Sequence, residues 1–111
     1  MIMTTQDNFI DHKIDKTIGM VKGSTIRARH IGNDILAGIR NIIGGEVHEY
    51  TKMLAESREQ AMDRMIADAE EQGADGIVCV RFTTSTIMSG MAEFLAYGTA
   101  VKLAHPYESI R

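Results

Sequence analysis

Hydrophobic and polar positions change their period along the chain, and each change marks an element. From Lys13 to Gly23 the residues alternate. Ile14, Ile18 and Met20 fall on one face with Lys16, and Asp15, Thr17 and Val21 on the other, which predicts a strand with one partly wet face. Gly23-Ser24 reads as a turn, and Thr25 to Arg29 as a short extra strand. Beyond Asn33 the period lengthens. Ile35, Leu36, Ile39, Ile42 and Ile43 recur at three- and four-residue steps, a short amphipathic helix with Asn33 as N-cap and Asp34 in its first turn. Gly44-Gly45 stops it, the first glycine suiting the left-handed position past a helix end.

Glu46 to Gln72 predicts a long helix. Tyr50, Leu54, Ala61, Met65 and Ala69, with Met53, Met62 and Ile66 beside them, form its apolar stripe. Glu46 and Glu49 put negative charge in the first turn, where the helix dipole favours it. The flank carries Glu56, Arg58, Glu59, Asp63, Arg64, Asp68, Glu70 and Glu71 and reads as a solvated face; Gly73 ends the helix.

Two strands follow, Gly76–Ser85 and Ala92–Leu103, joined around Thr86 to Gly90. The second is apolar or small on both faces: Phe94, Ala96, Gly98 and Ala100 on one, Leu95, Tyr97, Thr99, Val101 and Leu103 on the other. A strand with one wet face alternates apolar with polar, so this one predicts cover on both sides. The long helix covers one side, and a second copy of the chain is the simplest cover for the other. The predicted order is β, short α, long α, β, β in a single α+β domain over residues 1–111, with loose termini at 1–12 and 105–111. The sheet has roughly three strands. A right-handed crossover makes the first strand parallel to the second if they are neighbours; the last two form an antiparallel hairpin.

Composition narrows the functional classes. The chain has 111 residues, 44% of them apolar and 24% charged, with net charge −3. A net acidic chain with scattered Lys and Arg lacks the basic face that nucleic acid requires. There is no run of apolar residues long enough for a spanning helix, and the first residues do not form a signal peptide. The single cysteine, Cys79, has no internal disulfide partner, which predicts a reducing, cytoplasmic compartment.

Several segments together carry a family resemblance: DILAGIRNIIGGEVHEYTKML, the turn Gly73-Ala74-Asp75-Gly76, RFTTSTIMSG and the closing AYGTAV. With their spacing intact over roughly residues 15 to 103, they resemble the YbjQ-like family, whose label is heavy-metal binding. The resemblance implies a small α+β subunit, similar in layout to dodecins, that assembles into a homopentamer. It brings no catalytic residues.

The donors for a soft or divalent metal ion are Cys79, four histidines and eight methionines, with no Cys-x-x-Cys and no His-x3-His. A closed zinc site takes four ligands, so one subunit alone supports the label poorly. Cyclic symmetry repeats each donor around an axis and makes a ring of single ligands. His48, with Glu46 and Glu49 beside it, is the best candidate for such a ring, against the plainer reading of an exposed histidine at a helix end. Cys79, between Val78 and Val80, is a second candidate, against a buried small hydrophobe. Leu95, Tyr97 and Val101 are the expected self-association surface, with Ile39 and Arg40. Gly44 and Gly45 form a helix-to-helix turn or an anion cradle. Gly98, mid-strand beside Tyr97, marks a close approach by a neighbouring helix or a small aromatic pocket. No nucleophile, base and orienting group occur at a spacing that suggests catalysis. Two classes stand: a non-enzymatic oligomer holding a metal ion or small ligand, and an assembly scaffold without one.

Overall fold

The computed structural model describes residues 1–28, 48–88 and 91–104, with the side chains of Ala28 and of residues 48–51 outside the description. The predicted short helix, with Ile39, Arg40, Gly44, Gly45 and Glu46, lies outside it, as does the tail after Ala104. The described elements are β1 (Ile2–Met3), β2 (Ile14–Ala28), α1 (His48–Glu71), β3 (Gly76–Met88) and β4 (Met91–Leu103). They form an α+β fold in which one helix packs on a four-stranded sheet of order β1-β3-β4-β2.

β4 is the centre of the sheet, antiparallel to β2 on one side and to β3 on the other. The first long strand and the middle one therefore run parallel but are not neighbours. The hairpin partner took the central place, and the helical crossover spans it.

The N-terminus is not loose. β1 pairs in parallel with the start of β3, and Thr4 and Gln6 continue the contact: the Val80 and Cys79 amides donate to their carbonyl oxygens at 3.1 and 2.9 Å. Phe9 is buried against Val78, Val101 and Leu103 on the sheet face away from the helix.

Gly23-Ser24 is not a turn. β2 runs unbroken from Ile14 to Ala28, and Gly23 sits where the helix backbone comes closest. A Cβ there would fall inside the backbone of Ala61 and Met65. The strand has two register shifts, at Ile14/Lys16 and Thr17/Gly19, and the second flips the parity beyond Ile18, with Gly19 at φ 151°. Val21 rather than Met20 therefore enters the core with Ile18; Met20 is 70% exposed.

The helix stripe is as the spacing predicts at Ala61, Met65 and Ala69, all fully buried, with Leu54, Met62 and Ile66 partly so. Ser57 completes it. Its hydroxyl donates to the Met53 carbonyl and accepts from Arg27 Nε, both at 2.8 Å, so the buried oxygen is satisfied. Gly73, at φ 77°, ends the helix: its amide reaches the Glu70 carbonyl and that of Ala74 reaches Ala69, each at 3.0 Å. That pair of bonds is the Schellman pattern.

Two flank charges are not merely solvated. Asp68 accepts from the Lys22 amide and Arg64 donates to the Ser24 carbonyl, so the helix satisfies the outer edge of β2 at these two residues. The helix follows β2 to its end, where Arg27 meets Ser57 and Gln60, and covers Ala92 and Phe94 of β4; the end of β3, Phe82–Met88, is exposed throughout. The radius of gyration is 17.8 Å, against about 13 Å for a compact domain of this size.

Candidate functional site

Cys79 lies in a bulge of β3, where the register to β4 shifts between Val78 and Arg81. Its φ is 57°, the left-handed region that non-glycine residues seldom occupy. The backbone turns there so that Val78 faces Phe9 on one side of the sheet while Val80 enters the core under the helix on the other. The thiol is half-buried beside the Phe9 group rather than fully enclosed between two valines.

The bulge also accounts for Gly98. A Cβ there would meet Ile77 Cγ2 at 2.7 Å and the Val78 carbonyl oxygen at 3.0 Å. The close approach comes from the bulged neighbouring strand; the helix makes its own at Gly23.

His12 and Asp11 are paired, Nδ1 to Oδ1 at 2.8 Å. This bond holds the exposed Asp11 carboxyl below its usual range. Asp75 ties the helix end to β4: its carboxylate accepts from the Leu103 amide at 3.0 Å and sits 3.5 Å from Lys102 Nζ. Among the described residues no three His, Cys, Asp or Glu side chains come together as a metal-binding group. His48 and Glu49 open α1, but their side chains, and all of Glu46, lie outside the description. A hollow of about 590 Å³ at the C-terminal end of the helix mixes Asp15, Lys16 and Lys102 and contains none of the candidate donors.

The outer face of β4 divides in two. Val101 is 1% exposed, covered by Phe9 of its own chain. The N-terminal segment thus supplies the cover expected of a second copy at this end, and Val101 is not available to one. Leu95 and Tyr97 are half-buried. The register places Tyr97 between Arg81 and Lys22, and Leu95 between Thr83 and Ser24. Arg81 is partly engaged, donating to the carbonyls of Thr5 and Val80 at 2.7 and 2.9 Å. This is a mixed aromatic, aliphatic and cationic surface without a nucleophile–base pair. Sequence reasoning missed Phe9, whose only signal was an aromatic in a polar stretch, and Gly23, whose mid-strand role resembled a turn signal.

No helix of the described residues is long and apolar enough to cross a membrane. Residues 1–104 match a family model, YbjQ_1, described as "Putative heavy-metal-binding". A UPF0145 protein of Methanococcus maripaludis is 58% identical over 103 residues, covering 93% of this chain and 92% of the relative. One from Methanosarcina acetivorans is 56% identical over 103 residues, covering 93% and 97%. A crystal structure of a DUF74-family protein of unknown function from Pediococcus pentosaceus has the same fold, with TM-score 0.62 at 16% identity over 94% of this chain and 98% of that one. With the match running from the first strand to the last and more than half the residues shared with these relatives, the chain belongs to the YbjQ-like family of UPF0145 proteins.

Proposed function

We propose that the chain is one subunit of a cytoplasmic homopentamer that acts by assembly and ligand holding rather than by catalysis. The observation that carries this reading is the outer face of β4. Leu95 and Tyr97 are only half covered within one chain, and among the described elements the helix lies on the opposite face. Apolar area left at the centre of a sheet favours association, at roughly 25 cal/mol per Å² removed from water. The lone Cys79 thiol suits a reducing compartment.

The family description points to a metal ion as ligand. A site that combines donors from several subunits is the form this reading takes, as no three donors cluster among the described residues. His48, with Glu46 and Glu49, is the set that a cyclic axis would repeat; Cys79 is the alternative donor. The second reading is a pentameric scaffold with no small ligand, held together by the same half-covered face at Leu95 and Tyr97.

Native mass spectrometry of untagged protein purified without added metal tests both. A pentamer with extra mass that a chelator removes, and that His48→Ala abolishes without loss of assembly, supports the ligand-holding reading. A bare pentamer supports the scaffold. A monomer at micromolar concentration overturns both, as does an intact oligomer after Leu95→Glu for the role of the outer face.

A further inference from the structure

The outer face of β4 and the crest of α1 carry opposite charge. Register sets Lys22, Tyr97 and Arg81 side by side across β2, β4 and β3, with Ser24, Leu95 and Thr83 in the next row. Lys22 and Arg81 are exposed. The Arg81 guanidinium donates to neutral carbonyls, those of Thr5 and Val80, and among the described residues neither cation is paired with a carboxylate. Glu93, an acid on the same face, lies two rows beyond Tyr97. On α1, Glu56, Glu59, Asp63 and Glu70 are all exposed. Steps of three, four and seven residues put them on one line of the helix, opposite buried Ala61, Met65 and Ala69. Lys52, a turn before Glu56, is a cation on that line. Like charges one turn apart weaken a helix, so this crest destabilises the subunit on its own and is relieved by cations brought against it.

We infer that the crest of α1 in one copy docks on the Lys22–Tyr97–Arg81 row of the next. The inference rests on the self-association reading above and names the surface that meets the outer face. Leu95 and Tyr97 supply the apolar area of the contact. The charges select which surfaces meet, since exposed ion pairs add little affinity but govern specificity and encounter. A two-fold pairing of the outer face centred on Tyr97 would set Lys22 of one copy against Arg81 of the other, like charge on like. Crest on row has no such conflict. It joins two different surfaces of the same chain, and a contact of that kind, repeated, closes as a ring where the rotation allows.

Charge reversal tests it, read by sedimentation of the full chain over a dilution series at low ionic strength. Lys22→Glu is one variant and Glu59→Lys with Asp63→Lys the other; Arg81 stays in place because it also holds Thr5. Each variant is expected to raise the assembly midpoint about tenfold. All three substitutions in one chain should bring it back to within about threefold of the unmutated protein. A combined variant as weak as either parent overturns the inference, as do parents that assemble like the unmutated chain. Salt gives a reading without substitution: about a tenfold rise in ionic strength should weaken assembly of the unmutated protein through screening, and an unchanged midpoint counts against the contact. The unmutated chain also keeps the two proposals apart. A monomer removes the self-association reading and this contact with it, and a pentamer whose variants show no rescue removes the contact alone. Assembly that stops at two means that the outer face meets itself, and overturns the contact.

Discussion

The helix-covered base of the sheet and the end of β3, here called its arm, are stabilised in different ways. In the base the helix lies on one face, with Ala61, Met65 and Ala69 buried, and Phe9 covers the far end of the other. Its strand edges are closed by helix side chains and by the N-terminal segment. In the arm, Phe82 to Met88 is exposed throughout, and among the described strands it pairs with β4 alone. Backbone hydrogen bonds alone contribute little net free energy, because water offers the same bonds to the unfolded chain. The base therefore has reason to be the part that folds alone, and the arm the part that gains by contact with another molecule.

The sharpest way to break the base is Gly23→Ala. The new methyl falls inside the helix backbone, which has no flexible side chain to yield. A loss of about 4 kcal/mol or more is expected, most of the stability of a small domain, read from urea unfolding at fixed protein concentration. A change under 1 kcal/mol would mean that the helix does not approach so closely.

Phe9→Ala comes next, at about 3 kcal/mol, the low end for a buried aromatic because its cluster is small. It should also uncover Val101. A near-silent result would show the N-terminal segment to be detached from the sheet.

Thr25→Val should move the other way. The Thr25 hydroxyl is buried with no hydrogen-bond partner among the described residues. Removing it is expected to be neutral or stabilising by up to about 1 kcal/mol; a clear loss would reveal a partner for that oxygen.

Smallest of all is Thr84→Lys in the arm, within about 0.5 kcal/mol for the subunit, checked by the urea midpoint below the concentration at which it associates. A large loss there would erase the distinction between base and arm.

The long helix was legible in advance because its signals are local. Ala61, Met65 and Ala69 repeat at helical spacing, and Gly73 supplies the positive φ that ends it. The last two strands were legible for the same reason. β2 was harder to read. A bulge at Thr17/Gly19 resets its alternation after Ile18, so Met20 faces water and Val21 the core; Gly19, at φ 151°, was its one local signal. Gly23 shows the limit most clearly. Glycine marks turns and also marks places where another backbone must come near, and only the position of the helix separates the two.

The candidate site follows the same division. Donor chemistry can be counted along the chain: one cysteine, four histidines, no paired motif. Whether those donors converge is a matter of through-space distance, which no local pattern encodes. By itself the sequence determined the long helix, the last two strands, the two-sided character of β4 and the family, since each rests on residues near one another or on order along the chain. Only the tertiary structure decided that β4 lies between β2 and β3, that Phe9 covers Val101, and that Asp68 and Arg64 meet the edge of β2 at Lys22 and Ser24. Those outcomes depend on contacts between residues distant in the chain, which form together as the helix settles on the sheet.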